Sequence, residues 1–217
     1  MNYLTFAENV PSLGSGGIAV KELLIKHASA LSDGDVIIDI GSYLGSTTAF
    51  LSAGLLSRNV KATIHCYDPW EVDELLRRKM DYYNGLHFNV GDDLLPVFDA
   101  YLAPFDEVNI IRHKQSILDA RWHGPKIRLV VDDICSRKDK NDHMMETFIK
   151  YFIPGETIII RLDYYFYETK SESVFSYEKR FMEHNRDVFE FVQRGPKESR
   201  AAVFKYLGGT PDYEVEQ

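Results

Sequence analysis

The sequence predicts an α/β protein with a Rossmann-like, doubly wound and mostly parallel seven-stranded sheet, completed by an antiparallel C-terminal strand. Short apolar runs rich in β-branched residues recur along the chain, and stretches with helical periodicity separate them. The last two apolar runs are separated only by a short segment of turn residues. Strands that alternate with helices pair in parallel, whereas two strands joined by a turn pair antiparallel.

The first half of the chain predicts a βαβ unit after an N-terminal helix. Apolar residues at helical spacing predict a helix over 17–31, which the turn residues Ser32-Asp-Gly34 end. Val36–Ile40 is a short β-branched run with no polar alternation until its end, which predicts a strand buried on both faces. A helix begins near Ser46, and residues 62–67 predict the second strand.

The second half continues the alternation. Residues 71–104 are polar and aromatic and predict helices and loops that form a cap or insertion over the sheet edge. A helix is expected over 142–151, ended by Pro154-Gly155. The remaining strands are expected at 108–111, 127–131 and 157–160, with an antiparallel pair at 189–193 and 201–206.

Composition limits the function classes. The chain of 217 residues has 45% hydrophobic and 13% aromatic residues, which suffices for one domain spanning 1–217. A net charge of -8 disfavours a nucleic-acid partner, because phosphate binding relies on clustered Lys and Arg. Two cysteines support neither a disulfide framework nor a Cys-based zinc site. No basic leader or membrane-length apolar run is present, so we expect a cytoplasmic protein with no membrane partner.

The segment with the clearest chemical content joins the first strand to the next helix. Gly41 and Gly45 allow a tight turn and the close approach of a ligand, and the helix that follows favours an anionic group at its N-terminus. The second strand is followed by Asp68, where a carboxylate can accept both hydroxyls of a ribose. A nicotinamide-binding turn has a glycine where Tyr43 stands. Asp39 and Asp68 could instead cap neighbouring elements.

Asp39, Gly41 and Gly45 match an acidic residue, x, Gly, x, x, x, Gly. This motif resembles the first motif of the class I S-adenosylmethionine-dependent methyltransferases. The longer run over 40–48 is similar to the macrocin-type small-molecule O-methyltransferases, and the resemblance covers about residues 17–166. It implies a set of cofactor contacts at three strand ends: Asp39, Gly41, Ser42 and Gly45 for the methionine end, Asp68 for the ribose, Trp70 or Pro69 beside the adenine, and Gln115 and Ser116 on its ring edge.

The resemblance also implies a catalytic and metal centre after the fourth and fifth strands. Asp132 and Asp163 stand in register with carboxylates that hold a divalent metal in the macrocin-type group, which makes Mg²⁺ a candidate cofactor. Leu162 replaces one acid and Cys135 replaces an expected His, so metal dependence stays open, with Asp133 as a substitute ligand. Asp132 is expected beside the sulfonium and the acceptor, and His113 is a candidate base.

The resulting hypothesis is methyl transfer from S-adenosylmethionine to a small-molecule acceptor, a hydroxyl of a sugar or secondary metabolite. The aromatic series Tyr164-Tyr-Phe-Tyr167 could line the acceptor pocket or belong to the core. Two alternatives stay open: a nicotinamide-dependent oxidoreductase, and a non-catalytic S-adenosylmethionine-binding subunit. A homo-oligomer is compatible with the sequence. His143 is interpreted as part of a helix-capping segment rather than as a base.

Overall fold

A computed structural model describes residues 2–13, 16–83, 85–169 and 176–215 of the chain. Seven strands form one sheet in the order β3-β2-β1-β4-β5-β7-β6. The strands are β1 (Val36–Ile40), β2 (Thr63–Asp68), β3 (Asn109–Lys114), β4 (Leu129–Asp132), β5 (Ile158–Arg161), β6 (Phe189–Arg194) and β7 (Ala202–Tyr206).

The pairing directions confirm the predicted architecture. β1 pairs in parallel with β2 and with β4, and β5 continues the parallel part of the sheet beyond β4. β7 enters antiparallel between β5 and β6. In this register Ile40 lies level with Tyr67 on one side and Asp132 on the other, so the carboxyl ends of three strands meet at one edge.

Helices cover both faces of the sheet, which explains the uninterrupted apolar character of its central strands. Alternate residues of β1 belong to two different apolar clusters: Ile37 packs with one, Ile38 and Ile40 with the other. The first cluster holds side chains of α1, α3, α4 and α6, and the second those of α7 and α8. The helices are α1 (Tyr3–Glu8), α2 (Gly16–Ala19), α3 (Lys21–Ser29), α4 (Ser46–Ser57), α5 (Glu74–Tyr83), α6 (Leu95–Leu102), α7 (Lys138–Phe148) and α8 (Tyr177–His184).

Several element boundaries differ from the sequence expectations. The helix expected over 17–31 is divided at Val20 into α2 and α3. β3 continues to Lys114, three residues beyond its expected end, because its backbone pairs with β2 through that residue. α7 begins at Lys138, so His143 lies inside the helix rather than in a segment that caps it, which corrects that interpretation.

The segment 71–104 packs on the first apolar cluster. Its helices α5 and α6 contribute Met80 and Phe98 to that cluster, and a bridge between Glu71 and Asp93 closes the base of the segment. Within the described residues, no helix has the length and apolar character that crossing a membrane requires.

Candidate active site

The turn between β1 and α4 lies at the carboxyl edge of the sheet, where the strand order reverses between β1 and β4. Open α/β sheets bind ligands at such a switch point. Gly41, Tyr43 and Gly45 have φ values of 80°, 47° and 96°, in the left-handed region that favours glycine. These alternating left-handed residues turn the chain sharply and lead it into α4 at Ser46.

Protein side chains take the space beside both glycines. A Cβ atom on Gly41 would lie 2.6 Å from Cγ2 of Ile134, in the turn that follows β4. A Cβ atom on Gly45 would lie 3.2 Å from side-chain atoms of Phe98 and Leu102. The left-handed backbone of Gly41 and the nearby methyl of Ile134 both favour glycine at this position, independently of any ligand.

Asp39 connects the end of β1 to the first turn of α4. Its side chain is 1% exposed, and its carboxylate accepts hydrogen bonds from the hydroxyls of Thr47, at 3.0 Å, and Thr48. Burial raises the pKa of Asp39 to about 6, although the hydrogen bonds from Thr48, Thr47 and Ser42 act in the opposite direction. Ser42 itself is buried and donates to the main-chain oxygen of Asp39 at 3.0 Å. The cofactor contacts expected of both residues remain predictions.

Ser46, the first residue of α4, carries a polar atom without a partner. Its hydroxyl oxygen is buried and has no hydrogen-bond partner in the described part of the chain. The preceding N-cap residue, Gly45, has no side chain that could cap the helix. A buried hydroxyl without a partner is costly, and the first turn of a helix carries positive partial charge. Both features favour a polar or anionic ligand group at this helix end.

Asp68 joins the turns that follow β1 and β2. Its Oδ2 accepts the amide of Tyr43 at 3.0 Å, and its Oδ1 accepts the amide of Trp70 at 2.7 Å. Tyr43 and Trp70 both have φ values of 47°, so the carboxylate stabilises two strained backbone positions. Burial raises the pKa of Asp68, and the two amide hydrogen bonds oppose that increase. Each oxygen retains acceptor capacity, so a ribose contact stays a prediction.

The indole of Trp70 lies in the core. The residue is 0% exposed, its Nε1 donates to the carbonyl of Tyr43 at 2.7 Å, and its ring centroid lies 4.8 Å from that of Phe98. No face of this ring is open to solvent. The adenine contact expected of Trp70 would therefore require the indole to leave its position or the backbone to make the contact.

Gln115 and Ser116 follow β3, as expected from the sequence. The amide of Gln115 donates to the carbonyl of Asp68 at 3.1 Å, which brings this segment beside the end of β2. The hydroxyl of Ser116 accepts the amide of Leu118 at 3.2 Å and caps a short 3-10 turn. Both side chains are half-buried, and their contacts with an adenine remain predictions.

His113 lies within β3 rather than beyond its end, and it does not meet Asp132. The two residues share a register row, but β2 and β1 lie between their strands, a separation of about 14 Å at ~4.8 Å per strand. The His113 ring stacks on Tyr67 at 4.2 Å, and its Nε2 lies 3.0 Å from Nδ1 of His65. Burial lowers the pKa of His113. The two candidate catalytic residues therefore cannot act together on one acceptor atom in this arrangement.

Asp132 ends β4, is 3% exposed and faces a guanidinium. Arg161, the last residue of β5, donates from Nη1 to its Oδ2 at 2.5 Å. Mg²⁺ requires free carboxylate oxygens and a low local positive charge. Within the described residues, no group of three His, Cys, Asp or Glu side chains is arranged to hold one metal ion. Asp132, held by Arg161, thus does not fit the divalent cation that the resemblance implies, and a metal role for Asp163 stays a prediction.

Further carboxylates surround a cavity the size of one water molecule beside Asp132, lined also by Asp133, Asp163 and Glu178. The pKa of Asp163 is raised, chiefly by burial. Asp133 is exposed at its surface side. The pKa of its carboxyl is nevertheless raised, first by desolvation from nearby protein atoms and then by the charges of Asp163 and Asp132. This edge of the sheet therefore has a negative potential.

Sequence reasoning included Ser46 at the end of the candidate cofactor segment 39–46 without giving its side chain a role, and it missed Ile134, Arg161 and Glu178. Arg161 gave the strongest available signal, because a cation directly after the apolar run Ile158-Ile-Ile160 is unusual in a buried strand. Ser46 and Ile134 are of ordinary types for a helix start and a loop. Only the packing of the turns identifies their positions.

A larger cavity lies between α8 and the β6–β7 side of the sheet, with a volume of about 580 Å³, in the range of small-molecule sites. Tyr164, Tyr165 and Tyr167 of the aromatic series line it, together with Phe189, Phe191 and Phe204. Tyr164 and Phe204 are also in ring contact, with centroids 5.1 Å apart. The series thus contributes both to the core and to a cavity wall, which the sequence had offered as alternatives.

Comparisons with known proteins bear on the fold. No protein-family model and no curated protein matches the sequence. Among solved structures, an rRNA methylase from Streptococcus thermophilus superposes with a TM-score of 0.52 at 13% identity, covering 91% of this chain and 100% of the other. TrmN from Thermus thermophilus gives a TM-score of 0.52 at 9% identity, with 87% of this chain and 48% of TrmN covered.

A third structure, an S-adenosylmethionine-dependent O-methyltransferase from Thermotoga maritima, superposes with a TM-score of 0.50 at 11% identity, covering 90% of this chain and 66% of the other. This chain spans about half the length of TrmN and two thirds of the Thermotoga protein. At such identities the similarity establishes the fold, which is the Rossmann-like fold of these methyltransferase structures.

Proposed function

We propose that this chain binds S-adenosylmethionine at the turn between β1 and α4 and transfers its methyl group to a small-molecule acceptor. The observation that carries the proposal is the buried, unpartnered hydroxyl of Ser46 at the start of α4, next to a left-handed turn at the switch point of the sheet. A fold shared with structures named as methyltransferases supports it.

The polar groups at this edge fit such a ligand. The first turn of the 12-residue helix α4 favours the methionine carboxylate. Asp68 retains acceptor capacity for ribose hydroxyls, and the negative potential near Asp163 stabilises a positively charged sulfonium. The space beside Gly41 holds a side-chain methyl of Ile134, and a ligand group that enters this space requires that side chain to change rotamer.

The chemistry that follows is a direct displacement. When bound, S-adenosylmethionine supplies an electrophilic methyl group that an acceptor oxygen can attack in line. The chain contributes by holding the donor at the turn, by orienting the acceptor and by excluding water. Asp132 is committed to Arg161 and His113 lies about three strands away, so Asp163 is the carboxylate at this edge that we propose receives the acceptor proton.

The acceptor class is the finer part of the proposal. The aromatic cavity of about 580 Å³ begins one residue after Asp163, at Tyr164, and suits a flat metabolite or the face of a sugar. We propose that it holds the acceptor and presents a hydroxyl towards the edge of the sheet. One structural neighbour is named as an rRNA methylase, but the net charge of -8 disfavours RNA here. Release of S-adenosylhomocysteine, measured with hydroxylated metabolites and with RNA in parallel, distinguishes the two.

Calorimetric titration with S-adenosylhomocysteine tests the binding step. We expect saturable binding by the wild-type chain, and binding weakened about 2–10-fold by Ser46→Ala, since one hydrogen bond of about 0.5–1.5 kcal/mol is lost. Ser57→Ala at the other end of α4 is the matched control, because that hydroxyl donates to the carbonyl of Gly54 and lies away from the turn. Ser57→Ala should bind as the wild type does.

The same titration with NADH separates the alternatives. Binding of NADH without binding of S-adenosylhomocysteine would favour the oxidoreductase reading and refute the proposal. Binding of S-adenosylhomocysteine without turnover on any acceptor would favour a non-catalytic subunit.

A further inference from the structure

The guanidinium of Arg161 is enclosed by oxygen acceptors from three elements. Nη1 donates to Oδ2 of Asp132 on β4, and Nη2 donates to Oδ1 of Asn141 on α7 at 2.8 Å. Nε lies 3.2 Å from Oε1 of Glu178 on α8, an ion-pair distance without the geometry of a hydrogen bond. Arg161 is 0% exposed, and Asn141 and Glu178 are buried as well. One cation therefore sits between two carboxylates that are otherwise removed from water.

The second oxygen of Asp132 is also engaged. Oδ1 accepts the amides of Ile134 at 3.1 Å and Cys135 at 3.0 Å. Three of the roughly four lone-pair directions of this carboxylate are therefore used, two by backbone amides and one by a cation. A divalent ion placed on Asp132 would lie within a few ångströms of the Arg161 charge, whose repulsion opposes the attraction of the neighbouring carboxylates.

We infer that Arg161 supplies, from within the fold, the positive charge that a divalent cation would supply at Asp132, and that this site operates without a metal. Arg161, Asp132 and Glu178 form a charge network whose role is positioning. The charge network follows from these contacts alone, whereas its role in positioning a cofactor site rests on the proposed function.

The network positions the turn that covers Gly41. Asp132 holds the amides of Ile134 and Cys135, and the same turn places Cγ2 of Ile134 2.6 Å from where a Cβ of Gly41 would stand. The ion pair with Arg161 fixes the orientation of the carboxylate that holds this turn. The wall of the proposed ligand site thus depends on a buried guanidinium that lies one strand away.

The charges agree with this role. Burial alone would lower the pKa of Arg161, but the charges of Glu178 and Asp132 outweigh burial and raise it, so the guanidinium stays protonated. Burial raises the pKa of Glu178 to about 8, and the charge of Arg161 opposes that increase. Removal of the cation would leave the buried carboxylate of Asp132 without compensation and would raise the pKa of Glu178 further.

Electron paramagnetic resonance of Mn²⁺ tests the inference directly on the full chain, with and without S-adenosylhomocysteine. Free Mn²⁺ gives a strong signal that is lost on binding. We expect no site whose occupancy depends on Asp132 or Asp163. Stoichiometric Mn²⁺ binding that disappears in either Asp132→Asn or Asp163→Asn would overturn the inference, whereas binding that persists in both variants lies elsewhere and agrees with it.

A charge replacement supplies the positive test. Arg161→Met should lower the melting temperature and create a response to Mn²⁺, with the melting temperature rising as the ion compensates Asp132 and Glu178. Arg161→Lys keeps the charge and should recover part of the stability without any Mn²⁺ response. A variant Arg161→Met that melts as the wild type does, or a wild type whose melting temperature rises with Mn²⁺ through Asp132, would contradict the network.

If Arg161→Met does not fold, the Mn²⁺ experiment is done with the variant Glu178→Gln instead. This variant leaves one carboxylate for the guanidinium and should remain folded and insensitive to Mn²⁺; a Mn²⁺-dependent rise in its melting temperature that is lost on adding Asp132→Asn would overturn the inference. None of these readouts uses turnover. A protein that fails to bind S-adenosylhomocysteine but shows these Mn²⁺ results would refute the proposed function and leave the network intact.

Discussion

Single residues in this chain keep buried polar groups stable through direct side-chain partners. Two threonine hydroxyls hold the carboxylate of Asp39, and Arg161 holds that of Asp132. His65 and His113 share a hydrogen bond at 3.0 Å between adjacent strands, which requires at least one of the rings to be neutral. Protonation of both rings as pH falls would therefore break this hydrogen bond.

Replacing His65 should change how stability depends on pH. Burial, followed by the charge of His113, lowers the pKa of His65 from its usual 6.5 to about 4. The unfolded chain then binds a proton before the folded chain does, so the stability contributed by neutral His65 is present above about pH 6.5 and is lost as pH falls towards 4. We expect His65→Gln to lose less unfolding free energy than the wild type between pH 7 and pH 5, measured by urea denaturation.

The exposed His123 provides the control for this prediction. His123→Gln should show the pH dependence of the wild type. The prediction is wrong if His65→Gln and the wild type lose stability in parallel over this pH interval.

At the scale of elements, the turns after β1 and β2 are joined by one carboxylate. Asp68 accepts amides from both turns, and both amides belong to residues with left-handed backbone. The indole of Trp70 returns a hydrogen bond to Tyr43 and completes the connection. The two turns therefore behave as one structural unit at the carboxyl edge of the sheet.

Asp68→Ala should destabilise this unit. Two part-buried amides would lose their acceptor, at about 1–3 kcal/mol of unfolding free energy. Asp68→Asn keeps one acceptor oxygen and should have an intermediate effect. Chemical denaturation measures the stability, and hydrogen exchange should show faster exchange of the Tyr43 and Trp70 amides. Unchanged protection of both amides in Asp68→Ala would show that the carboxylate does not hold the turns.

Sequence patterns predicted the central elements better than those at the sheet edge. Val36–Ile40 and the helix start at Ser46 agree with the structure because a strand buried on both faces must be apolar and a helix must follow the glycine turn. β3 was predicted too short, since Arg112, His113 and Lys114 look like a polar loop. They pair with β2 at an exposed edge, where tertiary pairing overrides composition.

At the scale of the whole molecule, both apolar clusters depend on the same strands. β1 and β4 contribute alternate residues to each cluster. Unfolding of these two strands would therefore expose both clusters to water. The aromatic cavity and the candidate active site both lie along this sheet, at its β6–β7 side and at its carboxyl edge respectively. Loss of the sheet would remove both sites together.

This shared sheet leads us to predict that the chain unfolds as one domain. Circular dichroism at far-ultraviolet wavelengths, which reports secondary structure, and the fluorescence of Trp70 and Trp122, which belong to different clusters, should give coincident denaturation curves. Denaturation curves that differ between circular dichroism and fluorescence would mean that the clusters fold independently. The expected single domain over 1–217 would then be wrong.

The sequence by itself determined the order of strands and helices, the antiparallel C-terminal pair and the glycine turn at the switch point, because periodicity and turn chemistry are local properties. Only the tertiary structure decided which charges meet. Asp132, Arg161 and Glu178 come from separate elements, and no local pattern indicates that one guanidinium binds both carboxylates. Periodicity reports that a position is buried, whereas the partner that makes a buried charge stable is decided by packing.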